Sequence, residues 1–144
     1  MSQTSTNTGG ELHVKTDLSQ IFLYENRFSK AKYNNSAYDA VTIPAGTVMG
    51  RVASTGFIKP MRSTYSDGSQ IPMGILAADY VVDGGAIIEN MQFCNYGDVN
   101  KNKIVFDLAT DNFETTVGSQ RLEDLIHQAG LRLINSIDNT GYDN

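Results

Sequence analysis

Turn signals interrupt the chain again and again between residues 41 and 106, and no helical period survives between them. Pro44-Ala45-Gly46, Ser54-Thr55-Gly56, Tyr65-Ser66-Asp67-Gly68 and Asp83-Gly84-Gly85 each join residues that fix or free φ to side chains that bond local backbone. Apolar segments this short read as strands and hairpins. Val41 and Ile43 alternate about Thr42, and residues 47–61 read as a hairpin turning at Ser54-Thr55-Gly56. Pro60, which has no N–H to donate, belongs on an edge of that hairpin. Residues 71–76 and 86–96 are further strands, with Met91 and Phe93 on one face, and Asn100-Lys101-Asn102-Lys103 turns the chain into Ile104-Val105-Phe106.

One helical period appears late. Leu122, Leu125, Ile126 and Ala129 recur at i, i+3, i+4 and i+7, so the spacing predicts a helix over residues 119–129 of about three turns. Ser119 stands where an N-cap belongs and Gly130 where a C-cap glycine belongs, with a strand or extended segment over residues 131–134. The expected fold is α+β but mainly β: a compact domain of short strands and hairpins with one C-terminal helix. At 144 residues, 40% hydrophobic and 19% charged, the chain suits one core.

The ends differ from this middle. Residues 2–10 hold only Ser, Gln, Thr, Asn and Gly, a composition that buries no apolar surface to offset its ordering entropy. Residues 1–20 are therefore expected to form an extended, flexible N-terminal arm, 21–134 the folded domain, and 135–144 a polar tail. Leu12, Val14 and the run Ile21-Phe22-Leu23-Tyr24 read as short strands at the edge of the fold. Residues 25–39, with Arg27, Lys30 and Lys32 around Asn34-Asn35-Ser36, read as an exposed loop. Its Tyr33 and Tyr38 either form a contact surface or anchor the loop to its own domain. Asn34-Asn35-Ser36 matches a glycosylation sequon, but Met1 is followed by no basic or apolar leader that would bring it to that machinery.

Several functions lack their chemistry. Sixteen acidic residues against 11 basic ones give a net charge of -5, with no Lys/Arg stripe for phosphates, so no nucleic acid is expected as partner. No apolar run approaches the roughly 18 residues of a membrane helix, and the protein is expected to be soluble and made in a cytoplasm. His13 and His127 have no metal-ligand spacing, no calcium loop surrounds Gly68 or Gly97, and the glycines build no phosphate cradle before a helix, so no metal or cofactor is expected. Cys94, the single cysteine, lies in an apolar stretch and is expected to be buried and unmodified. A Cys94–His127–carboxylate hydrolase would need a clustering that no local motif announces. His127, one turn after Glu123, reads as one half of an exposed pair.

Three segments taken together resemble the lambda-like head decoration protein family of tailed bacteriophages. Residues 45–52, continuing through Thr55-Gly56 to Lys59-Pro60, resemble its opening hairpin. Asp67-Gly68-Ser69 followed by Met73-Gly74-Ile75-Leu76 is similar to its aspartate-glycine turn and the strand after it, and residues 122–133 resemble its terminal helix, glycine and apolar segment. The resemblance spans residues 45–134. It implies a non-enzymatic protein of the virion that binds the major capsid protein on the outer surface of the expanded head as a homotrimer. It also implies an N-terminal arm that adds a strand to the capsid lattice, for which Thr4, Thr6, Leu12 and Val14 are the candidate residues. Tyr33, Tyr38 and Phe57 are candidate interface residues. The alternative is a virion-surface adhesion or carbohydrate-binding module that stacks sugars on Tyr33, Tyr38 and Tyr65. The absence of Trp and the scatter of these tyrosines along the chain count against it.

Overall fold

A computed structural model describes residues 20–135 of the chain. The expected arm residues Thr4, Thr6, Leu12 and Val14, and all but the first residue of the tail, lie outside the described residues.

The spine is a 14-residue strand. In chain order the strands are β1 (Phe22–Asn34), β2 (Val41–Ile43), β3 (Val48–Arg51), β4 (Ile58–Pro60), β5 (Pro72–Leu76), β6 (Tyr80–Val82) and β7 (Ile87–Asn100). A 3-10 turn (Lys101–Lys103), β8 (Thr116–Val117), β9 (Gln120–Arg121), α1 (Leu122–Gln128) and β10 (Leu131–Ile134) follow. Strand β7 pairs antiparallel with β1 along one edge, from Phe22↔Val99 to Asn34↔Ile87. Its other edge takes β5 at Phe93 and Cys94, then β10 in parallel from Leu131↔Gly97 to Ile134↔Asn100. Beyond β5 come β3 and the edge strand β4, where Pro60 pairs with Met49 and closes the expected hairpin.

Both faces of this sheet are covered, which is why β3 and β5 carry buried apolar residues at adjacent positions and why the neighbours Phe93 and Cys94 of β7 are both buried. Val48, Ile75 and Cys94 face one cluster with Leu122, Leu125, Ile126 and Leu131. Their neighbours Met49, Leu76 and Phe93 face a second with Ile43, Ile58, Val82 and Met91. Helix α1 covers the first face, and the ribbon of β2 and β6 (Val41↔Val82 to Ile43↔Tyr80) lies over the second.

The structure corrects three expectations. Residues 25–34 are not a loop but most of β1; only residues 35–39 turn. Register shifts between Tyr24 and Arg27 and between Ala31 and Tyr33 break the period-2 pattern that would have announced the strand. At the first, Glu25 takes φ 54° opposite Gly97 at φ 115°, where an added Cβ would lie 2.7 Å from the Glu25 carbonyl oxygen. Helix α1 has seven residues, starts at Leu122 and takes no side-chain cap, because Ser119 sits in the turn of the β8–β9 hairpin instead. The buried face of Leu122, Leu125 and Ile126 is as expected, with Ala129 half-buried at the C-cap. After the expected turn at Lys101–Lys103, Val105 forms an isolated bridge with Thr47. Finally, Glu123 pairs with Lys101 (3.0 Å) rather than with the exposed His127.

Candidate functional site

Two places on the surface gather chemistry, one at each end of β1. At its start Asn100 holds the chain by two bonds, its backbone N–H donating to the Ile21 carbonyl (2.7 Å) and its side chain to the Gln20 carbonyl (3.1 Å). On the other edge of β7, Ile134 is in register with the same Asn100, and Asn102 donates to Asn135 (3.1 Å). Gln20 and Asn135 are thus both held at one pole of the described fold, by Asn100 and Asn102. Tyr24 beside this pole is 65% exposed, and Phe28 and Tyr96 are exposed further along the ribbon. The Arg27 guanidinium lies 4.8 Å from the Tyr96 ring centroid, and Arg132 bonds Asp98 and reaches Glu25 (3.3 Å). Aromatic rings and Arg are residue types enriched at protein interfaces.

At the far end of β1 lies an open cleft of about 420 Å³. Asn35, 1% exposed, builds its rim. The side-chain amide donates to the carbonyls of Asp39 and Asp83 (both 3.0 Å), and its backbone carbonyl accepts from Tyr38 and Gly85. These bonds staple the 35–39 turn to the 83–86 turn and hold Tyr38 out at 70% exposure. Tyr33, buried in the second core cluster, lines the floor with Ile43, and Tyr65 lines the other side. The Lys59 ammonium sits 4.0 Å over the Tyr65 ring and bonds Asp67 (2.8 Å), while Arg62 bonds Asp107 (2.6 Å). Burial raises the Tyr33 phenol above its usual range, with the Asp107 charge adding to it. The hydrogen bond that Arg62 donates to Asp107 holds the guanidinium still more firmly protonated.

The fold therefore brings together Tyr33, Tyr38 and Tyr65, which are scattered in sequence, and leaves Phe57 apart, beneath the Lys32 ammonium (5.4 Å). Asn35, Lys59, Arg62 and Asp107 were missed by sequence reasoning: the Arg62–Asp107 pair spans 45 positions and carries no local motif.

Catalytic clustering is absent among the described residues. Cys94 is fully buried, its Sγ 3.2 Å from the Tyr96 carbonyl and 3.5 Å from the Asn26 amide, and no hydrogen bond joins it to His127. No group of three His, Cys, Asp or Glu converges as a metal site among the described residues, and no helix there is long and apolar enough to cross a membrane.

Comparison with known proteins finds that the family model described as bacteriophage lambda head decoration protein D matches residues 14–126. No curated protein matches the chain.

Proposed function

Because the chain belongs to the bacteriophage lambda head decoration protein D family, structural components of the phage capsid and not enzymes, we propose that it binds the outer surface of the expanded head as a homotrimer and holds that shell against the pressure of packaged DNA. The family match over residues 14–126 carries the reading. Supporting it is the pole where Asn100 and Asn102 hold both Gln20 and Asn135, beside the exposed ring of Tyr24.

The mechanism is linkage. A protein that binds only the assembled, expanded shell stabilises that shell by about 2.7 kcal/mol per site when its free concentration is a hundred times its dissociation constant. Many such sites raise the cost of opening the lattice together. Residues around Thr4, Thr6, Leu12 and Val14 add a strand to the capsid, a mode in which main-chain hydrogen bonds supply affinity independently of side chains. Threefold closure repeats one head-to-tail contact between two different patches in every copy, with the exposed rings of Tyr24, Phe28 and Tyr96 as apolar surface for that contact.

The test is cryo-electron microscopy of expanded capsids prepared without the protein and then mixed with it. The expected result is added density outside the shell at local threefold sites, and capsids that withstand more heat or internal pressure. Density inside the shell, isolated monomers at every site, or no binding overturns the reading.

A further inference from the structure

We propose that the tyrosine cleft at the far end of β1 is a binding site for a neutral oligosaccharide, a second function alongside attachment to the capsid. Position is the first argument. Tyr33 stands eleven residues along β1 from Phe22, roughly 35 Å at 3.3 Å per residue, so the cleft lies at the opposite end of the ribbon from the pole that holds Gln20 and Asn135. A domain held to a shell by that pole turns the cleft outward.

Chemistry is the second argument. Tyrosine faces are electronegative and their edges carry hydroxyls, which suits the C–H faces and hydroxyl edges of sugar rings. Tyr38 offers a ring held out by the Asn35 staple, and neither its hydroxyl nor that of Tyr65 has a hydrogen-bond partner among the described residues. Charge then selects within polar ligands. Lys59 and Arg62 are both committed, to Asp67 and Asp107, and Asp39 lines the same wall. With two cations against Asp39 and Asp107 on the lining, the cleft has no net charge to draw an anion or a cation. Its volume falls in the roughly 300–1,000 Å³ range of small-molecule sites. An extended peptide is the weaker fit, because the strand beside the cleft, β2, is three residues long and ends at Pro44, which has no N–H to donate.

The test titrates the full chain, labelled for NMR, with maltotetraose and chitotetraose, using sialyllactose and decaproline as controls. A neutral saccharide is expected to give saturable shifts at Tyr38, Asp39 and Thr42, and the controls none. Tyr38→Ala should weaken binding about tenfold, the scale of one lost stacking contact, and Tyr38→Phe should keep most of it. Asp39→Asn, a second exposed substitution, should also weaken binding. The proposal is overturned if neither neutral saccharide gives a saturable response, if decaproline or sialyllactose moves the same resonances instead, or if Tyr38→Ala binds like wild type.

Discussion

Gly50 shows how tightly one residue can be held by its neighbours. A Cβ there would lie 2.1 Å from the Ser69 carbonyl oxygen, so β3 passes against the 67–69 turn with no room for a side chain. Gly50→Ala must push strand and turn apart, and we expect it to cost about 1–3 kcal/mol by urea denaturation. The same turn contains Asp67, which accepts bonds from Lys59 Nζ, Ser69 Oγ and the Ser69 N–H. Those bonds, the Lys59 contact foremost, hold its carboxyl well below the usual carboxylate range. A depressed folded-state value contributes stability that is complete above the unfolded value near pH 4 and is lost as pH falls from there towards the folded one. Asp67→Asn should therefore be less stable than wild type at neutral pH, and the gap should narrow once pH drops below about 4. Because the side chain is 39% exposed, solvent and salt screen the effect, and high salt should shrink the gap as well. A gap that is constant from pH 7 to 2 contradicts this account.

At the scale of elements, helix α1 was legible from its apolar period and its start was not. Leu122, Leu125 and Ile126 mark the buried stripe whatever the boundary, whereas Ser119 looks like a cap only until the Gly118-Ser119 turn claims it for the β8–β9 hairpin. Two substitutions separate these roles. Leu125→Ala, which removes packing between the helix and the sheet, should cost about 2–5 kcal/mol. Ser119→Ala, which removes no cap, should stay within about 0.5 kcal/mol in the same thermal or urea melts. A loss above 1 kcal/mol at Ser119 would restore the longer helix. Strand β1 was hidden for a different reason. Its irregular register against β7 and its outward Arg27 and Lys30 mimic a polar loop, and the pairing that makes it a strand lies more than fifty residues away. Local turn chemistry, by contrast, placed the β3–β4 hairpin and its Pro60 edge correctly, since everything that hairpin needs lies between Val48 and Pro60.

At the scale of the whole molecule, β7 joins two surface regions: its C-terminal end holds Gln20 and Asn135, and its N-terminal end lies by the tyrosine cleft. Sequence could name Tyr33, Tyr38 and Tyr65 but not join them, because the 35–39 turn, the Arg62–Asp107 pair and strand β2 meet only through the tertiary fold. The anchoring pole yields the last prediction. Residues 2–10 contain no apolar side chain to bury. Removing residues 2–14 is expected to leave the melting temperature almost unchanged. Capsid affinity is another matter. Pairing along a capsid strand exchanges water for protein at each main-chain N–H and C=O, a net gain of roughly 0.5–1.5 kcal/mol per bond. Losing even three such bonds at about 1 kcal/mol each weakens binding by about two orders of magnitude. Capsid occupancy measured against protein concentration should then fall steeply for the truncated chain while calorimetry shows the same melt. Wild-type affinity in the truncated protein would place the capsid contact on the folded domain and remove the arm from the mechanism.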